Sequence, residues 1–365
     1  MKNRLQRFLS ITAAFWNIGL FGFIDLHQNH AFAQNNDLLL SDPMFTEEMV
    51  PLSRVPNYRD RMREIIEELA DYAATRNKNF AILARPGFEL LRWDQREFIL
   101  AEAKRQENMM LPEDAITPLK EPMRRFIQAI DGIALNDQFC GEGRSTDELM
   151  IYKRMGVSLF SVEHCGTEAA AFGALEQSSV VGIVSHADAD EADIFGDIPN
   201  RRPMNENSNN IETLDDVQNV LVATQSRPHG SRGDWLLALS QTNYDAIVID
   251  AFYNGKEALT EDEVHSLKFK ELGSRRLAIA WLDISYASDD RYYWEREWEV
   301  GSPSWIVGRH PDRPGTYAVE YWHPRWKSIL GTYFKGLMDL GFDGVILNGT
   351  DAYLRFEAMT PLDPL

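Results

Sequence analysis

Short apolar runs in this chain repeatedly end in a side chain able to handle a proton or a hydroxyl group. Ala246–Asp250 closes with Asp250, Leu277–Asp283 with Asp283, and Gly344–Asn348 with Asn348, three residues before Asp351. Gly132–Leu135 is followed by Asn136 and Asp137, Val157–Val162 by Glu163, and Val180–Ser185 by His186. Hydrolysis of a glycosidic bond uses such carboxylates in pairs: one holds a proton for the leaving oxygen, and the other attacks the sugar or activates water. Asp250, Asp351 and Asp283 are therefore the candidate catalytic residues. An Asp after a strand also caps the next helix, so each has a structural alternative.

Amides and aromatic rings at the same places suit sugar binding. Asn348 and Asn136 offer a donor and an acceptor to hydroxyl groups, and Asp137, Glu89 and Arg291 add polar contacts. Trp281, Trp294, Trp298, Trp305, Trp322 and Trp326 crowd one stretch with Tyr286, Tyr292 and Tyr293. Their faces can meet the C–H side of a sugar ring, and they can equally fill a core. Tyr286, Tyr292 and Trp322 are the ligand-facing candidates. His186, Asp188 and Asp190 alternate as possible metal ligands, but with no second cluster they read more simply as an acidic surface loop. No metal or organic cofactor is expected.

Elements that bring strand ends together must position these residues. The apolar runs are Asn79–Ala84, Gly132–Leu135, Val157–Val162, Val180–Ser185, Val220–Thr224, Ala246–Asp250, Leu277–Asp283, Ala318–Trp322 and Gly344–Asn348. Most are separated by helical stretches, such as the stripe Met62, Ile65, Ile66, Leu69, Ala73, and the stripe Ile329, Leu330, Tyr333, Phe334, Leu337 closed by Gly341. Continuous apolar strands alternating with helices predict an α/β fold, a single (β/α)8 TIM-like barrel over residues 55–365, with functional side chains at the C-terminal strand ends. Nine runs for eight places leave one outside the barrel. The polar stretch His186–Pro203 reads as an insertion loop, and no Gly-rich phosphate loop supports a nucleotide-binding open sheet.

Lys2, Arg4 and Arg7 precede the apolar run Phe8–Ile24 and the small-residue site Ala31-Phe32-Ala33, the layout of a secretory signal peptide over residues 1–33. Residues 34–54 form a polar lead-in. An exported protein, periplasmic or secreted, is expected, with no stable membrane insertion after cleavage. Removal of that segment takes away three Lys/Arg and one acid, moving the net charge from −19 to −21. Such acidity disfavours nucleic acid and suits a cationic ligand. Cys140 and Cys165 follow consecutive runs and are either bonded or two buried thiols.

Seven segments in one order carry a resemblance. YRDRMREIIEELADYA (58–73), FAILARPGFELL (80–91), IDGIALNDQF (130–139), YDAIVIDAF (244–252), DDRYYWEREW (289–298), VEYWHPRW (319–326) and GFDGVILNGTDAY (341–353) resemble the endo-α-1,4-polygalactosaminidase family and its circularly permuted bacterial relatives, earlier linked by name with cysteinyl-tRNA synthetase. The resemblance implies a metal-free barrel acting on α-1,4-linked, galactosamine-rich polysaccharide, a cationic amino-sugar polymer. It also implies carboxylates where this chain has Asn348 and Asn136, and an acid or amide where it has Tyr286. Three readings stand: a glycosidase working through Asp250 with Asp351 or Asp283, a non-hydrolytic carbohydrate-binding barrel, and, apart from the resemblance, an unrelated metal-dependent barrel enzyme using His186 and nearby acids.

Overall fold

The computed structural model describes residues 51–107, 121–136, 138, 144–162, 181–183, 198, 202–203 and 205–362. Asn57 starts helix α1 (Tyr58–Arg76) by accepting the Asp60 amide on its side chain, and Met62, Ile65, Ile66, Leu69 and Ala73 are buried along one stripe. Between α1 and the last long helix, α7 (Pro324–Asp339), lie α2 (Gln95–Glu107), α3 (Glu121–Ala129), α4 (Thr146–Arg154), α5 (Arg232–Ser240) and α6 (Glu261–Leu267). His323 and Pro324 begin α7, and Gly341 with φ +85° follows its end.

Eight strands share one sheet: β1 (Ala81–Arg85), β2 (Gly132–Asn136), β3 (Ser158–Val162), β4 (Val181–Ile183), β5 (Val220–Ala223), β6 (Ala246–Ile249), β7 (Leu277–Asp283) and β8 (Gly344–Asn348). Their order is β4-β3-β2-β1-β8-β7-β6-β5, and every ladder is parallel. This is the order of strands around a cylinder opened between β4 and β5. Those two edges approach within 8 Å between Cα atoms, so the sheet curls as in a TIM-like barrel.

The ninth apolar run lies outside this sheet. Thr316–Val319 is the middle strand of an antiparallel sheet with Tyr286–Ser288 and Ile306–Arg309. All four of its residues are buried, so it carries the unbroken apolar pattern of a barrel strand without being one.

Alternation along the strands separates two cores. Leu83, Phe160, Val222, Val248, Ile279 and Ile346 point inward and form one cluster, while alternates such as Ile82, Ile133, Ile247, Ala280 and Leu347 pack with the helices. Ile211 and Val217 join the inner cluster, so the segment preceding β5 closes the N-terminal end. A buried pair fastens that closure. Lys270 Nζ is 2.6 Å from Asp245 Oδ1, both side chains fully buried. Lys270 also donates to the carbonyls of Asn207 and Asn209, and Asp245 accepts the Gln218 amide at 2.8 Å.

Candidate functional site

On four strands the inward file ends in a polar residue. Leu83 is followed two residues on by Arg85, Ile346 by Asn348, Trp281 by Asp283 and Ala134 by Asn136, so these side chains stand one layer above the apolar interior. Parallel register sets Arg85 opposite Asn348, and Asn348 opposite Asp283.

Arg85 organises the layer. Its guanidinium lies 5.1 Å from the Trp281 ring centre and donates to Asn348 Oδ1 (2.9 Å) and Asn136 Oδ1 (2.8 Å). Asn348 is 8% exposed, and its Nδ2 donates to Asp283 Oδ1. The other Asp283 oxygen lies 3.3 Å from Arg313 Nη1. A cation thus holds both amide oxygens, and the Asn348 amide spans the space between that cation and a carboxylate.

The turn after β8 is built for this contact. Gly349 has φ +83°, donates its N–H to the Arg85 carbonyl at 3.0 Å, and accepts Ser285 Oγ at 2.6 Å. A Cβ there would collide with that hydroxyl. Gly349→Ala is expected to cost about 1–3 kcal/mol for left-handed backbone alone, seen as a lower urea midpoint at unchanged slope.

Asp351 and Tyr286 border the same layer. Burial pushes the Asp351 carboxyl above the ordinary carboxylate range, against the pull of its own amide, Arg85 and Arg313. Burial, reinforced by the charge of Asp351, also raises the Tyr286 phenol. Tyr286 packs edge-on to His310 at 4.9 Å.

Asp250 belongs to a second cluster. Arg291 meets its two oxygens at 3.1 and 2.5 Å, and the Phe252 amide donates to it at 2.9 Å. Burial pushes this carboxyl up against the Arg291 attraction. Tyr292 is 54% exposed and stacks on Phe252 with centroids 5.8 Å apart. An acid held bidentately by arginine has its lone pairs engaged and is poorly placed as a nucleophile.

Of the residues expected from sequence, Asn348 and Asn136 are joined through Arg85 and Asp283 through Asn348, with Asp351 and Tyr286 beside them. Asp250, Arg291 and Tyr292 form their own group. Trp322 packs against Tyr58, Tyr321 and Phe356 at 5.3, 4.8 and 4.6 Å, an aromatic packing cluster. Glu89 accepts from Arg92 at 2.8 Å and from Arg144. Burial raises its carboxyl, but these two arginines bring it below the usual value. Asp137, Glu163, His186, Cys140 and Cys165 lie outside the described residues. Among the described residues no group of three or more His, Cys, Asp or Glu is arranged to hold a metal. Arg85 and Arg313 were not anticipated. Arg85 directly follows the first apolar run, so the rule that found Asn136 also finds it once cations are searched for.

No family model matches the chain. It is similar to an uncharacterised protein of Methanocaldococcus jannaschii, 30% identical over 43% of this chain and 46% of that one. An uncharacterised protein of Deinococcus radiodurans is 32% identical over 33% of this chain and 38% of its own length. For one from Thermotoga maritima the figures are 30%, 32% and 35%. The chain thus spans less than half the length of these relatives. Among solved structures, a variant of the glycoside hydrolase domain of PelA from Pseudomonas aeruginosa is similar over 30% of this chain and 39% of that one, at 19% identity and a TM-score of 0.22.

Proposed function

We propose that the chain is an exported (β/α)8 barrel of the polygalactosaminidase-like group that holds a saccharide at its strand-end mouth and has lost the group's usual acid pair. The observation that carries this is the Arg85 bridge. Where the resemblance expects two carboxylates, Asn348 and Asn136 present amide oxygens to one guanidinium. An amide supplies no proton at a carboxylic acid's pKa and attacks an anomeric carbon poorly. It does hydrogen-bond hydroxyl groups through both ends. The net charge of −19 suits an amino-sugar polymer as ligand.

A second reading, hydrolysis, draws on one observation. Asp351 has no ion-pair partner among the described residues and burial favours its protonated form, whereas Asp283 is held by Asn348 and Arg313. Two acids in such different surroundings could divide the roles of proton donor and base. Incubation with de-N-acetylated galactosaminan decides between them. Binding without new reducing ends is expected, and the double variant Asn348→Asp/Asn136→Glu should gain measurable cleavage. New reducing ends from the natural chain, lost in Asp351→Asn, would establish the second reading instead.

A further inference from the structure

Among the described residues, Arg355, on helix α8 (Tyr353–Met359), is a half-buried cation without a counter-ion. Its Nη2 reaches the Val307 carbonyl at 3.4 Å. Its Nε is buried with no hydrogen-bond partner, and no carboxylate pairs with it among the described residues. Gly308 leaves it room, since a Cβ at that position would run into the guanidinium. Burial accordingly pulls the Arg355 guanidinium below its ordinary range.

Other protonatable groups gather at the same place. Arg313 lies 5.2 Å from the Tyr286 ring centre, and the His310 ring is 4.9 Å from it on another side. The charge of Arg355 is felt by both Tyr286 and His310. The nearby acids do not balance this group. Asp283 is already shared between Arg313 and Asn348, Asp351 is driven toward its neutral form by burial, and Asp312 acts on His310 from the hairpin.

A desolvated guanidinium without an anion is unfavourable, and an arriving carboxylate relieves it. The planar fork of arginine matches a carboxylate in particular. Resting on the reading of the strand-end mouth as a saccharide site, we propose that Arg355, with Arg313, receives the carboxylate of an acidic sugar unit lying against Tyr286. The ligand is then a saccharide that carries hexuronate-type units alongside amino sugars. The chain's net charge of −19 repels long polyanions, so short oligosaccharides are the suitable probes.

The test is calorimetric titration of the full chain with an oligogalacturonate, an oligogalactosamine and a neutral galacto-oligosaccharide of equal length, and with inorganic phosphate. The acidic oligosaccharide should bind roughly tenfold or more tightly than the neutral one, the worth of one charge-assisted contact. That preference should weaken with added salt. Arg355→Gln should erase it while sparing neutral binding, and Gly308→Ala, which displaces the guanidinium, should act in the same direction. Equal affinity for acidic and neutral saccharides overturns the inference and leaves the saccharide reading standing. Persistence of the preference in folded Arg355→Gln does the same. Phosphate binding as tightly as the acidic saccharide would overturn the assignment to a sugar. Binding of no saccharide of any kind would sink both this inference and the reading beneath it.

Discussion

Asp250→Ala should destabilise the protein by about 3–5 kcal/mol, the cost of leaving one member of a buried ion pair alone. Arg291 would keep its charge beside Phe252 and Tyr333, 14% exposed, with Asp290 at 3.9 Å as a distant carboxylate and none in bidentate contact. Urea unfolding measures the loss directly. Replacing both partners, Asp250→Ala with Arg291→Met, should recover much of it, because the stranded charge is gone as well. A single variant within about 0.5 kcal/mol of the natural chain, the range of ordinary surface changes, would show that the pair carries no structural weight. Asp250 would then return as a free carboxylate available for chemistry.

Lys270→Met should cost a similar amount, about 3–5 kcal/mol, at the opposite end of the sheet. Asp245 is fully buried there with Lys270 as its cation, while Gln218 N–H and Asn207 Nδ2 supply neutral hydrogen bonds. Those bonds soften the loss without replacing the charge. The loss should be local in its structural effect, loosening residues 205–219, so amide exchange of that segment should accelerate more than that of β8. Uniform acceleration across the sheet would contradict a local fastening role. The saccharide binding proposed for the other end should survive in whatever fraction remains folded.

Much of the architecture was legible in the sequence because each parallel strand is apolar on both faces and short. Eight of the nine apolar runs became strands of the parallel sheet, and the helix stripes at Met62–Ala73 and Ile329–Leu337 lie where their spacing placed them. The exception, Ala318–Trp322, could not be separated by pattern. Thr316–Val319 is buried throughout, so an antiparallel strand outside the parallel sheet has the same signature as one inside it. Periodicity reports burial and not the partner.

The site was legible by position and less so by chemistry. Strand ends carry Asn348, Asn136 and Asp283; parallel register sets Asn348 beside Asp283 and Arg85, and Arg85 reaches Asn136. What joins them, Arg85, carries no such signal, because an arginine after an apolar run resembles a solvated strand end. Trp322 shows the opposite difficulty. An aromatic residue in an aromatic-rich stretch reads equally as sugar platform or packing, and only its contacts with Tyr58 and Phe356 assign it to packing.

The strand order has a bearing on how the chain reaches this state. β1, the first strand made, sits between β2 and β8, and β8 is the last. Its ladder to β8 joins Ala81 to Gly344 and Arg85 to Asn348, contacts between the two ends of the described chain. The β1 edge facing β8 therefore stays unpaired until β8, more than 250 residues later in sequence, has folded beside it. Pairings so distant in sequence form slowly. The Arg85 bridge, which needs Asn348, is therefore a late feature of folding.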